Sequence, residues 1–430
     1  MLDINLIREN PEIVRKSLRD RNMNESSVDD FLAIDSEWRG VEGEIGQIRA
    51  KLNELSRERK IEEAKVVKEK IKQLEEDIKT LEKKRDTLLY SFPNIPKEDV
   101  PVGRDESHNK VLRTWGTPPK FDFEPKDHIA LGESLGILDM TKASEVSGAR
   151  FAYLKGELAL LEIALVSYAF NILTSKKELQ KIAKKFGKNF SGEPFTPIIP
   201  PAMIRPEVFT KMARLSEEDK DERYYLPSDD LYLIGSAEHT LGPLHMNESI
   251  NEKDAPVRYV GFSPSFRREA GSYGKDTRGI LRVHQFDKVE IETFTTIEKQ
   301  DEEHEFVVAI QEYLMQSLKI PYRVMLLSTG DMGKPDARQI DIESWMPGQD
   351  KYRETHSADM MGDYQSRRLK TKIKNKDGGN EYAAMIDATV FAIGRTLIAI
   401  MENYQTEKGT IKIPKVLQKH VGVKEVKPKN

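Results

Sequence analysis

Along the first quarter of the chain, apolar residues recur at alternating steps of three and four: Phe31, Ile34, Trp38, Val41, Ile45, Ile48, Leu52 and Leu55. After a polar stretch from Ser56 to Lys60 the rhythm resumes at Ala64, Val67, Ile71, Leu74, Ile78, Leu81 and Leu88, with Arg85 as its one polar interruption. Two heptad segments joined by a short polar turn predict an antiparallel helical hairpin. At ~1.5 Å per residue, Phe31 to Leu55 alone makes an arm roughly 37 Å long.

The period then changes. Ser91 to Gly103 carries three prolines and a glycine, which stop helices and mark a linker, so a domain boundary is placed near Asp105. This divides the chain into an arm, residues 1–105, and a larger domain, residues 106–430. Helices are predicted across Phe151 to Lys185, where the longest apolar run, Leu158 to Leu173, is too short and too interrupted to span a bilayer and reads as a core helix. Pro194 to Met203 reads locally as a proline-terminated edge strand. Val257 to Phe262 is extended and apolar, and Ile280 to Ile291 alternates apolar with polar residues. With Gly271, Gly274 and Gly279 between them, they predict strand, loop, strand. Met385 to Gln405 reads as an apolar helix carrying Arg395 in its interior, where the charge needs an anion: a buried carboxylate partner or a ligand.

Composition narrows the function less than pattern does. The net charge of −4 gives no global steering toward nucleic acid, so any such contact is local. In the arm, residues 41–90 hold 13 Lys/Arg against 12 Asp/Glu, and only Lys65, Lys68, Lys70 and Lys72 cluster, so a dimerisation or spacer coiled coil fits as well as an RNA binder. There are no cysteines, which excludes disulfides and cysteine-ligated zinc and fits a reducing cytosol. No basic segment followed by an apolar one opens the sequence, so no signal peptide is predicted. Residues 406–430 carry seven lysines against two acidic residues, and their last few are expected to be a solvated tail.

The densest candidate chemistry is the loop around Gly271, where Arg267, Arg268, Lys275, Arg278 and Arg282 gather positive charge suited to a polyphosphate. A P-loop is excluded, because the glycines stand three apart and Asp276 follows Lys275 where Ser or Thr is required. The order Phe266-Arg267-Arg268-Glu269, loop, Arg282-Val283-His284-Gln285-Phe286 resembles motif 2 of class II aminoacyl-tRNA synthetases. Its Ala270-Gly-Ser-Tyr-Gly-Lys-Asp-Thr-Arg-Gly279 loop is similar to the seryl-tRNA synthetase version. Pro194 to Met203 resembles motif 1, and Met385 to Gln405 resembles motif 3. Ser236-Ala237-Glu238, Asp341-Ile-Glu-Ser-Trp345 and Tyr352-Arg-Glu-Thr-His-Ser357 resemble further stretches of that family, as does the opening Met1-Leu-Asp-Ile.

The resemblance implies an α+β fold: a mainly antiparallel sheet flanked by helices, preceded by an antiparallel coiled-coil arm that grips tRNA. It implies serine activation with ATP and Mg²⁺, without zinc, then transfer of serine to the 3′ end of tRNA(Ser), with tRNA(Sec) left open as a second acceptor. It implies a cytoplasmic homodimer with no membrane association. Arg267 and Arg395 take the catalytic positions. Arg267, Arg268, Glu269, Val283, Phe286, Glu354, Thr355, His356, Ser357 and Arg395 take ATP positions, with Glu354 and Ser357 on Mg²⁺. Ser236, Ala237, Glu238, Glu290, Asp387 and Thr389 take serine positions. The chain departs from the family at His356, where serine is usual, at Ala358 to Met361, and at Asp387, where most members have Asn.

Three other readings are open on sequence. A paralogue that has lost aminoacylation would break the ligands that are present here. The related amino acid:carrier-protein ligases lack the arm and use a cysteine-bound zinc. A purely structural coiled-coil protein would not need the cationic loop.

Overall fold

A computed structural model describes residues 1–187, 190–217, 219–270 and 278–428. Two short helices, α1 (Ile4–Glu9) and α2 (Pro11–Asp20), precede a helical hairpin of α3 (Ser27–Arg57) and α4 (Ile61–Ser91). Each hairpin helix has 31 residues, so the arm extends beyond the predicted heptads at both ends. The seam is narrow: in the arm proper only Ile45, Leu55, Ile71, Leu81 and Leu89 are buried apolar residues. The remainder is held by side-chain pairs such as Arg49–Glu75 and Lys70–Glu44, both at 2.7 Å.

At the arm's root the packing thickens. Ile7, Val14, Leu18, Val28, Phe31, Leu89 and Phe92 form a separate core with Tyr364 of the larger domain. Arg21 donates to the carbonyls of Gly333 at 3.1 Å and Asp336 at 2.5 Å, which seats the end of α2 on a loop of that domain. The linker docks as well, with Asn94 N–H on Lys334 O and Lys97 N–H on Ala337 O, both at 2.8 Å.

The larger domain is built on eight strands: β1 (Lys110–Trp115), β2 (Thr196–Ile198), β3 (Val257–Phe266), β4 (Gln285–Thr295), β5 (Tyr322–Leu326), β6 (Arg338–Met346), β7 (Lys351–Gly362) and β8 (Ala384–Ala392). Their spatial order is β1-β5-β6-β7-β8-β4-β3-β2, antiparallel throughout except for the β2–β3 edge pair. Helices α5 (Glu157–Leu173), α6 (Lys176–Lys185), α7 (Pro206–Lys211), α8 (Glu238–Leu241), α9 (Gln300–Leu318), α10 (Tyr364–Leu369) and α11 (Ile393–Asn403) flank it. The core lies between the sheet and α5, α9 and α11.

Several expectations are refined. Met385 to Ala392 is strand β8, and only from Ile393 does the chain become helix α11. Every β8 residue but Ala392 is buried, so both faces are covered and the period that separates strand from helix is erased. The second strand of the motif 2 hairpin begins at Gln285, not Ile280. Helix α5 is a core helix on one face only, since Leu160 and Ile163 are exposed. Residues Ile411–Lys412 pair with Glu425–Val426, so the lysine-rich end folds back as far as Val426. Gly271, Gly274 and Lys275 lie outside the described residues.

Candidate active site

The sheet's register makes the site. Cross-strand pairing places Glu292 (β4), Asp387 (β8), Asp359 (β7) and Gln339 (β6) in one row, and Glu290 opposite Thr389 in the row above. β-Bulges at Val289/Glu290, Ile342/Glu343 and Met360/Gly362 interrupt the pairing beside these residues and re-aim their side chains. From behind, Gln311 on α9 donates to both Ser357 O at 2.7 Å and Thr389 O at 2.8 Å, fixing the backbone of two site strands with one amide.

Over this face lies a cavity of about 300 Å³, lined by Arg267, Glu269, Val283, Phe286, Glu354, Thr355, Ser357, Thr389 and Arg395, together with Arg214, Glu238, Lys288 and Asp359. Arg267 donates to Gly235 O at 3.1 Å, and its guanidinium stands 5.4 Å from the Phe286 ring centre. Glu269 has φ 52°, a left-handed conformation costing a non-glycine residue about 1 kcal/mol, and its carboxylate meets Arg282 at 3.3 Å. The hairpin's return is pinned where Ile280 N–H donates to His128 Nε2 at 3.2 Å. Gly279 is required beside it, because its φ is 74° and a Cβ there would lie 2.0 Å from that nitrogen. Gly394 lets the first turn of α11 approach Ile280 O, which sets Arg395 at the cavity wall.

Arg395 pairs with Glu354 at 3.1 Å. Burial pushes the Glu354 carboxyl up, but Arg395 overrides it and holds that group below the usual range. Asp341, behind it, is pushed well up by burial and by Glu354 itself. Ser357 Oγ lies 3.2 Å from Thr389 Oγ1. Glu354, Ser357 and Thr389 line the cavity together and offer hard oxygen donors of the kind a divalent cation of the Mg²⁺ type takes.

Ser236, Ala237 and Glu290 do not themselves line the cavity; Ser236 and Glu290 meet through a hydrogen bond, and the backbone N–H of Glu238, which does line it, donates to Glu290 Oε2 at 3.1 Å. Lys288, which no motif flagged, bridges Glu290 and Ser236 Oγ, the latter at 2.9 Å. Ala237 is buried behind Ser236. His239 is held neutral, its pKa pushed down to about 3 by burial, accepting from Gly235 N–H at 3.1 Å.

Not every predicted residue reaches the cavity. His356 is fully buried on the opposite side of β7, against Thr355 Oγ1 at 2.8 Å and edge-on to Phe391. Arg268 turns outward to Arg223 O at 2.9 Å and the Tyr224 ring. Asp387 is buried and bound to Arg214 at 3.1 Å. Arg214 itself is the principal site residue that sequence reasoning missed. It belongs to no motif, and only its place in a mixed loop after α7 was visible.

Comparison with known proteins agrees with this geometry. Residues 1–96 match the seryl-tRNA synthetase N-terminal domain, and residues 222–404 match the tRNA synthetase class II core domain (G, H, P, S and T). The chain is 40% identical to a serine–tRNA ligase of Pyrococcus horikoshii, covering 100% of this chain and 98% of the relative. It is 38% identical to that of Pseudothermotoga lettingae, covering 98% and 99%. Among solved structures it is similar to the P. horikoshii seryl-tRNA synthetase complexed with ATP (TM-score 0.89, 39% identity, 100% of both chains). It is also similar to the cytoplasmic serine–tRNA ligase of Naegleria fowleri in complex with AMP (TM-score 0.86, 35% identity, 100% and 99%).

Proposed function

This chain belongs to the seryl-tRNA synthetase family, and from that premise we propose how its cavity activates serine and its arm presents tRNA. The enzyme is an ATP-dependent serine–tRNA ligase of the class II type. Serine's carboxylate attacks the α-phosphorus of ATP and pyrophosphate leaves; the 3′-terminal adenosine of tRNA then attacks the seryl carbonyl and AMP leaves.

The first step brings two anions together, so the barrier is electrostatic. Arg267 contacts the carboxylate and the α-phosphate, lowering their repulsion and stabilising the charge that develops at phosphorus. Arg395 takes the γ-phosphate, exchanging Glu354 for it; Glu354 with Ser357 would hold Mg²⁺, which would supply neutralisation of phosphate charge. Glu269 and the Val283 backbone bind the adenine, and Phe286 stacks on its ring. Glu290 and Ser236 receive the serine ammonium, with Lys288 displaced from its bridge. No side chain acts as general base.

The observation that carries this reading is the convergence of Arg267, Glu269, Phe286, Glu354, Ser357 and Arg395, from four separate chain segments, on one cavity. Arm binding of tRNA is supported by the N-terminal domain match and by the arm's 31-residue helices. A homodimer is supported by exposed Leu160, Ile163 and Ile199 on α5 and beside β2. A cytoplasmic location is supported by likeness to the Naegleria fowleri enzyme, whose name gives it as cytoplasmic; among the described residues no single helix is long and apolar enough to cross a membrane. The test is Arg267→Gln, which should lower serine-dependent ATP–pyrophosphate exchange by about 10³-fold while circular dichroism stays unchanged. Exchange within about threefold of wild type would contradict the assignment.

A further inference from the structure

We propose that Arg214 is a specificity-determining residue, reading the side-chain hydroxyl of the amino acid; this rests on the cavity being the serine-activating site. Arg214 follows α7 and Ala213, whose φ of 57° turns the chain into the site. Its side chain lines the cavity, as do those of Phe286 and Thr389. The guanidinium Nε lies 3.0 Å from Glu238, and Nη2 lies 3.1 Å from Asp387, 3.6 Å from Asp359 and 3.9 Å from Asp336. Carboxylate oxygens of Glu238, Asp359 and Asp387 all fall within 4.8 Å of one another, a spacing that would suit a metal ion. The chain supplies its own cation instead.

Two consequences follow for the substrate. Asp387, at the position expected to touch serine, gives its carboxylate to Arg214, so the arginine is what the side chain meets. Asp359 also lines the cavity, and its Oδ1 is buried without a hydrogen-bond partner. A guanidinium can only donate, whereas a carboxyl oxygen accepts. A hydroxyl does both. A CH₂OH group therefore satisfies the pair, its oxygen accepting a hydrogen bond from Arg214 and its O–H donating one to Asp359. Alanine leaves Asp359 Oδ1 without a partner and offers Arg214 no acceptor beyond its own carboxyls, which a buried site penalises. Anionic side chains meet a surplus of carboxyl groups, and cationic ones meet the guanidinium.

The experiment is pyrophosphate exchange with serine and alanine for Arg214→Lys and Arg214→Met. The Michaelis constant for serine should rise by at least about tenfold and kcat change by less than about threefold. The serine-over-alanine preference should fall by at least about tenfold. The double variant Arg214→Met/Asp387→Asn, which also removes the carboxyl that Arg214 pairs with, should show the same narrowed preference if the single Met variant does not fold. Wild type supplies an independent arm: 2,3-diaminopropionate, nearly isosteric with serine but cationic, should exchange at least about 100-fold less efficiently. Serine and alanine falling by one common factor, or diaminopropionate matching serine, would overturn the role of Arg214. Wild type inactive with serine would instead overturn the reading of the cavity.

Discussion

Two buried charges, one at the root of the arm and one in the catalytic domain, are mirror images. Asp35 on α3 has a fully covered side chain and faces three cations: Arg8 at 2.8 Å, Arg39 at 3.1 Å and Arg85 at 4.0 Å. Arg214 faces four carboxyl groups, those of Glu238, Asp336, Asp359 and Asp387. At the first site, burial pushes the Asp35 carboxyl up, but Arg8 and its neighbours prevail and hold it below the usual range. At the second, one cation cannot serve four carboxyls. Burial first, and then Glu238, push Asp387 well above the usual range; burial and Asp336 do the same to Asp359. An anion with excess cations is settled and structural, whereas a cation with excess carboxyls leaves polar groups available to a substrate.

The comparison breaks most decisively if the two regions do not divide the labour. Replacing Gly43 to Glu76 of the arm with a short glycine–serine turn keeps Asp35, Arg39 and Arg85 in place. It should lower tRNA charging by about 100-fold or more, while serine-dependent pyrophosphate exchange stays within about threefold. Loss of exchange in a folded variant would show that the arm contributes to activation.

Alkaline pH should separate the regions next. Burial and neighbouring carboxyls push Asp359, Asp387 and Glu292 well above the usual carboxylate range, and burial with Asp287 raises Glu162 to about 8. Groups whose folded pKa is raised give stability that is present below the unfolded carboxylate value and lost as pH rises through the folded one. As pH rises from 7 to 9, through the folded value of about 8 for Glu162, the catalytic domain should therefore lose stability, at up to about 1.4 kcal/mol per pH unit for that one group. The arm's root should not change, because Asp35 is ionised throughout. Urea unfolding of single-tryptophan variants, with Trp38 reporting the arm and Trp115 or Trp345 the core, checks this. Parallel losses would contradict it.

A smaller effect sharpens the structural side. Asp35→Asn removes the anion from among three arginines, two of which reach water, and should cost about 2 kcal/mol in the arm's unfolding without changing exchange. A change in exchange with no change in stability would reverse the roles assigned to the two hubs.

The arm was readable because a two-helix seam writes its period directly into the sequence, from Phe31 to Leu55 and from Ala64 to Leu88. The motif 2 hairpin was readable because its alternation and glycines are local. Strand β8 was not, since burial on both faces removes the period. Arg214 and Lys288 were not, because their meaning comes from register: Asp359 and Asp387 meet only when β7 and β8 pair. His356 stands within a matching stretch, yet alternation beyond the Ile342/Glu343 bulge turns it to the opposite face.

The central claim is that this cavity activates serine. ATP–pyrophosphate exchange by the wild-type enzyme, measured separately with serine, threonine, glycine and alanine, tests it most directly. Serine should support exchange at least about 100-fold more efficiently than alanine. Preference for one of the other three, or exchange with none, would contradict the account.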